Sequence, residues 1–399
     1  MKKFAHYRNM TSTAGIFCVV LSCFFIPFST SLMGATATLA AVFWVLSGDV
    51  SSLPQLMKKN VSVSLAIALF LLLIIGLTYT PVPLNDALDF LKKYRKILYF
   101  AMVVSIFRDN VGAARLAEDS FIAGCIVLLF ISYSIFFSII PSDRFGFSVV
   151  YHITHSLFMA ILAFWCLQRM FESRQYIYLW LGLFLLATIN LFYIAPGRTG
   201  MLVYIALIIL TLFQRLSWKK LLPATILVSI IVGITFFTSS NFSTRVNEAV
   251  DEMRGYQAES SRTSLGMRFD WWQNSIDIVR QKPIFGHGTG SFQAVQENLI
   301  KDGDTQSTDN PHNEYLFLAV QAGLVGLFLF VTLLVVQFIA SFSLQPPRKY
   351  LLQGVVVAMS VGCLMNSFLF DSHSGHFYAI MSAILTIPSI KTNSHLCRY

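Results

Sequence analysis

"STDNPHNEYLFLAV", Ser307 to Val320, sets a proline and a histidine directly ahead of an apolar run that continues to residue 341. A run of that length exceeds the roughly 20 apolar residues that cross a bilayer as a helix, so it reads as a membrane span. Asn310 suits the cap of that helix and Pro311 its first position, which puts His312 in the first turn. The free N–H groups and positive dipole end expected there disfavour imidazolium, so His312 is expected to be neutral near about pH 7. A neutral, oriented imidazole at a membrane surface is a general-base candidate. The competing role is a histidine that only caps the helix start and bonds a loop. Glu314, two positions on, falls on a different helix face.

The rest of the chain is equally apolar. Of its 399 residues 55% are hydrophobic and 12% charged, and its mean hydropathy is +0.65, above the roughly 45 to 50% apolar content of soluble domains. An all-α, polytopic membrane protein is expected, because helices satisfy their own backbone in lipid and no barrel-like alternation is present. About twelve transmembrane helices are expected, near 12–28, 30–47, 61–78, 95–108, 117–139, 150–168, 176–194, 199–214, 221–238, 314–341, 351–370 and 376–390. The first apolar stretch, behind Lys2, Lys3 and Arg8, has the look of a signal peptide but runs on to Leu46, and is read as an uncleaved helix. Cys18, Cys23, Cys125, Cys166, Cys363 and Cys397 show neither CxxC nor metal-ligand spacing, so packing is their expected role.

Basic residues suggest the orientation. Lys58 and Lys59, Arg108 and Arg115, Arg169 and Arg174, Arg215 with Lys219 and Lys220, and Arg348 with Lys349 all follow even-numbered spans. By the positive-inside rule those loops and both termini are cytoplasmic. Three regions result: nine spans in 1–238, an outer, mostly helical loop in 239–313, and three spans with a cytoplasmic C-terminus in 314–399. The net charge of +9 mostly follows this topology and does not imply nucleic acid. "LKKYRKI" breaks the rule by placing Lys92, Lys93, Arg95 and Lys96 on the outer side. It is either an interfacial amphipathic helix with snorkelling lysines or a basic collar for an anionic lipid head group.

Span interiors hold almost no ionisable groups, which disfavours an ion-coupled transporter. The outer turns are richer. "APGRTG" puts Arg198 on a tight turn whose Gly197 and Gly200 permit close approach of a ligand, a setting suited to bidentate phosphate binding or to a lipid head group. Met267 to Gln281 is expected to be a helix with Trp272, Ile276 and Val279 on one face, ended by Lys282-Pro283, with Arg268 near its start. "GHGTG" lacks the lysine of a phosphate loop and reads as a chain-repositioning turn with a structural His287. "FDSHSGHFY" supplies Asp371, His373 and His376 at a spacing too loose for metal.

Taken together, the layout of spans, the outer loop before the tenth, "GRTG", the arginine ahead of the tryptophans with "PIFGHGTGSF", and "PHNEYL" resemble the O-antigen ligase family of the bacterial inner membrane. The specific motifs cover positions 196–200, 268–292 and 311–316, and are shared across ligases and polymerases. The resemblance implies a metal-independent, cofactor-free inverting glycosyltransferase facing the periplasm. It would move a glycan from undecaprenyl diphosphate to lipid A-core oligosaccharide. Arg198 and Arg268 would hold the donor diphosphate and His312 would activate the acceptor hydroxyl. Asp371 and His155 correspond loosely to family positions, and Lys93 and Arg95 suit an anionic acceptor. An O-antigen polymerase is the alternative, ahead of a protein O-oligosaccharyltransferase or a glycolipid transporter.

Overall fold

A computed structural model describes residues 2–108, 110–141, 145–172, 174–255, 263–300 and 306–387. Cys397 and parts of the expected outer loop, 256–262 and 301–305, lie outside the described residues. In chain order the helices are α1 Lys2–Phe25, α2 Thr30–Leu46, α3 Leu53–Lys59, α4 Val61–Gly76, α5 Leu84–Tyr94 and α6 Ile97–Phe107. They continue with α7 Val111–Phe136, α8 His152–Glu172, α9 Ile177–Ile189 extended by a π turn, Asn190–Ile194, then α10 Arg198–Arg215 and α11 Trp218–Thr238. α12 Ser240–Gly255, α13 Ser264–Gln281 and α14 Phe292–Leu299 lie between the apolar helices, and α15 Glu314–Ser341, α16 Arg348–Met365 and α17 Ser372–Thr386 close the chain. There are no β-strands among the described residues.

Each of the twelve apolar segments contains a helix, so an α-helical polytopic membrane protein stands. The count of twelve spans is not carried with it. Among the described residues, six helices are long and apolar enough to cross a membrane: α7, α8, α9 with its π turn, α10, α11 and α15. A seventh is reached if α2 and the Asp49–Lys59 segment, bent by 77°, form one broken span. For α6 the physical reason is length and burial. α6, with 11 residues, rises about 16 Å against a hydrocarbon core of about 30 Å. It is enclosed by protein on nearly every side instead of by lipid.

The bundle is organised around α8, the most enclosed of the six long helices. Phe158 and Trp165 of α8 meet Phe121 of α7, and Phe158 also meets Phe377 of α17, edge to face. α11 is the opposite case, with no buried residue along its 21 positions. Such an all-round apolar helix has lipid for its solvent.

α15 is broken at Gly323, whose φ of 65° and ψ of −168° lie where only glycine sits without strain. The break frees backbone groups that lipid cannot satisfy. The turn after α13 satisfies them. His287 and Gly288 donate to the carbonyls of Val320 and Gln321, both at 2.9 Å, while Leu324 and Val325 donate to Pro283 and Ile284 at 2.7 and 3.2 Å. "GHGTG" thus repositions the chain, with Gly286, Gly288 and Gly290 all at positive φ. Its His287 ring bonds the Ile278 carbonyl of α13 at 3.0 Å.

A Cβ at Gly323 would run into the Ile284 carbonyl. Gly323→Ala is therefore expected to destabilise the protein by about 1–3 kcal/mol from backbone strain alone, and more from the collision. Thermal unfolding of the purified protein checks this: an unchanged midpoint would show that the break does not need glycine.

Candidate active site

Three stretches far apart in sequence converge at the end of the bundle where α8 and α10 begin: the start of α10, the first half of α13, and the chain on either side of α15 and α16. Arg198 opens α10 after Gly197. A Cβ on Gly197 or Gly200 would collide with Ser156 of α8. These glycines therefore serve helix packing, which replaces the expected ligand approach to the backbone. Packing that close brings the start of α10 hard against α8 and fixes where the arginine emerges.

Arg198 is held by α12. It donates to Glu248 Oε2 at 2.9 Å and to Glu252 Oε2 and Oε1 at 3.2 and 3.3 Å. Arg245 also reaches Glu248 at 3.1 Å and, with Arg198, holds its carboxyl below the usual range. Glu252 Oε2 accepts a second bond, from the Leu265 N–H in the first turn of α13. Neither acidic residue was singled out by sequence, because their partner lies on a different helix.

α13 begins at Ser264 with Thr263 as its cap, accepting from the Gly266 N–H. Its buried face is Trp271, Ser275 and Ile278, not Trp272, Ile276 and Val279. The difference follows from the indoles: Trp271 and Trp272 both turn toward the chain ahead of α15, donating to the carbonyls of Gln306 and Pro311, each at 2.9 Å. Arg268 has no ion pair among the described residues. Partial burial and the neighbouring Arg198 charge pull its pKa below the ordinary arginine value, while Tyr151 and Glu252 oppose this.

His312 is not in the first helical turn. The cap is Asn313, whose side chain accepts from the Leu316 N–H at 3.1 Å, and α15 starts at Glu314. Asn310 is engaged elsewhere, accepting from the His312 N–H at 2.8 Å and from Ser367 at 2.7 Å. This bent turn holds His312 at a φ of 52°, unusual for a residue other than glycine. Its ring lies against Trp271 with centroids 5.6 Å apart.

The expected neutrality of His312 has a different source from the helix dipole. Burial, with the Arg268 charge adding to it, pushes the ring down to about 4, and a hydrogen bond with Asn366 partly opposes this. Asn366 is almost fully buried and also donates to the Thr199 hydroxyl at 2.7 Å. One amide thus links the histidine to the residue beside Arg198. Sequence offers no sign of this, since Asn366 sits at the end of α16 without a motif.

Glu314 completes the frame. Fully buried, it accepts from Tyr94 at 2.8 Å and from the N–H groups of Leu369 and Phe370 at 2.8 and 3.0 Å. Lys96, also buried, donates to the carbonyls of Phe370 and Asp371 at 2.6 and 2.7 Å. The turn that carries Asn366 is pinned from both sides. Asp371 precedes α17 at the end of this turn without a side-chain cap bond. His155 lies apart, fully buried, with its ring nitrogens 2.9 Å from Ser148 and 2.7 Å from Asn190. Lys93 rests over the Phe370 ring at 4.4 Å. Arg95 is exposed beside α6. Among the described residues, no group of three or more His, Cys, Asp or Glu is placed to hold a metal ion.

Residues 181–331, which include Arg198, Arg268 and His312, match the family model described as O-antigen ligase. Through that domain the chain is similar to the O-antigen ligase family. The chain is 35% identical over 127 residues to an uncharacterized protein of Haemophilus influenzae, a match covering 30% of this chain and 32% of that protein. The matched stretch thus spans about a third of the relative's length. A solved chain from work on "structural coordination of polymerization and crosslinking by a peptidoglycan synthase complex" overlays with a TM-score of 0.48 at 15% identity, covering 82% of this chain and 96% of that chain.

The His312 environment sets a pH dependence of stability. The unfolded ring binds a proton below its ordinary value of 6.5, whereas the folded ring stays neutral down to about 4. Stabilisation from neutral burial is complete above that unfolded value and is lost as pH falls through the window. The difference in melting midpoint between the wild type and His312→Gln should shrink as pH drops across it. A difference independent of pH would show that the ring is not held neutral by the fold.

Proposed function

We propose that this protein is an O-antigen ligase of the bacterial inner membrane. It transfers a glycan from undecaprenyl diphosphate to lipid A-core oligosaccharide, with inversion, at the periplasmic end of the bundle and with both termini cytoplasmic. The observation that carries this reading is the meeting of a neutral histidine with two arginines at one end of the bundle, one of them without an ion pair among the described residues.

In the proposed step the acceptor O–H gives its proton to His312 while its oxygen forms the new bond at the anomeric carbon. The bond from that carbon to the diphosphate breaks, and undecaprenyl diphosphate leaves with the electron pair. Negative charge therefore grows on the phosphates, where Arg268 and Arg198 supply fixed positive charge and forked donors. Back-side attack needs one base and no carboxylate nucleophile.

Arg198 reaches the diphosphate by exchanging partners. Its pairs with Glu248 and Glu252 are only partly buried, so solvent and a competing anion can reach them. A diphosphate offering several charge-assisted bonds outcompetes them. Asn366 holds the imidazole plane, and the Trp271 ring restricts its rotation.

Transfer by purified protein from synthetic lipid-linked glycan to defined lipid A-core tests donor, acceptor and reaction together. Arg198→Ala and Arg268→Ala should abolish transfer, and His312→Ala should reduce it by about 10²–10⁴-fold, the usual worth of a general base. All three variants should remain in the membrane. Near-normal transfer by His312→Ala would sink the base assignment. In the wild type, the acid limb of kcat/KM should fall near 4, where the folded ring titrates, and not near 6.5. Extension of lipid-linked glycan in place of core attachment would make the protein a polymerase.

A further inference from the structure

Of the four cations in the run Lys92 to Lys96, three are engaged. Lys92 pairs with Asp89 at 2.7 Å. Lys93 rests on the Phe370 ring, and Lys96 is spent on two backbone carbonyls. Arg95 is exposed and has no ion pair among the described residues. Its side chain lines a groove of about 480 Å³ between α2 and α6, together with Thr38, Trp44, Tyr99 and Met102. The volume falls in the range of about 300–1,000 Å³ typical of small-molecule sites.

A second groove, of about 380 Å³, shares Thr38 and Ala41 with the first and adds Val42, Val45 and Leu46. The two therefore adjoin along α2, the first carrying a cation and polar side chains, the second almost wholly apolar. The Trp44 indole, which forms part of the wall, is fixed by a 2.9 Å bond to Ser105. A cationic head and a greasy tail in one channel match an amphiphile with an anionic head group.

The residue next to Arg95 ties this wall to the turn that reaches the histidine. Lys96, next to Arg95, grips the Phe370 and Asp371 carbonyls. At the other end of the same turn Asn366 bonds His312. The donor arginines lie on α10 and α13, away from α2.

We propose that the α2–α6 groove binds the phosphate-bearing lipid of a lipid-anchored acceptor, with the phosphate on Arg95 and an acyl chain along Thr38, Ala41, Val42 and Val45. The acceptor assignment rests on the transferase reading above; the lipid site itself does not. An arginine forks onto phosphate oxygens, and burial of the chain's apolar surface adds to the affinity.

Binding to the full-length protein in neutral detergent tests the site with three probes: phosphatidic acid, the matching diacylglycerol without phosphate, and inorganic phosphate without a chain. Phosphatidic acid should bind at least tenfold more tightly than either of the others. Arg95→Gln and the groove-filling Thr38→Phe should each weaken it tenfold or more, and Arg95→Lys should restore part of the loss. Thr38 faces outward, so its variant is expected to fold normally. Equal binding by wild type and both variants would overturn the proposal, leaving bulk lipid as the groove's occupant. Phosphate binding that ignores the chain would overturn it as well. Arg198→Ala separates the two levels: it should abolish transfer and leave phosphatidic acid affinity unchanged. In the transfer assay, Arg95→Gln should raise the acceptor KM and leave the donor KM alone. Unchanged acceptor KM beside lost lipid binding would refute the acceptor role.

Discussion

A helix interrupted inside a membrane must have its freed backbone groups satisfied by protein, and α15 is built on that constraint. An unpaired amide or carbonyl in lipid costs several kcal/mol. Around Gly323 the turn at Pro283 to Gly288 supplies two donors and two acceptors in return. The exchange does more than repair the helix. It anchors the end of α13 to the middle of α15, so the helix that bears Arg268 and the tryptophans is fixed relative to the helix that His312 precedes. Thr289 extends the joint to α4, its hydroxyl donating to the Leu73 carbonyl at 2.6 Å. The helices between α11 and α15 thereby gain a foundation that their own short apolar faces do not provide.

A second frame holds the opposite wall. Glu314 and Lys96 are both buried, and each is spent on the backbone of the turn between α16 and α17. A buried charge is costly unless it is well bonded, which these two are. What results is a turn of fixed shape with Asn366 at its start. The imidazole orientation thus depends on residues that never touch it.

Helices were legible in the sequence wherever apolar runs were long, because burial in lipid and burial in protein ask for the same residues. For that same reason the run could not distinguish α6, enclosed in the bundle, from a true span. The cap of α15 was misplaced by three residues since Asn310 and Asn313 have equal capping chemistry. Asn310 lost the role because its oxygen was already committed to the His312 N–H and Ser367. Arg198, Arg268 and His312 were visible as motif residues. Glu248, Glu252 and Asn366 were not, because each acts through a contact between helices distant in the chain. Glu314 was set aside by its helix face, and that face turns out to point at Tyr94 and the turn it clamps.

One carboxylate oxygen of Glu252 receives both the Arg198 guanidinium and the first-turn amide of α13. Two donors sharing one acceptor divide its electron density between them. An anion that draws Arg198 away leaves that oxygen wholly to Leu265, strengthening the seat of α13 at the moment the arginine is occupied. Filling of the arginine and tightening of the helix that carries Arg268 and Trp271 are then one equilibrium, read out through a single atom.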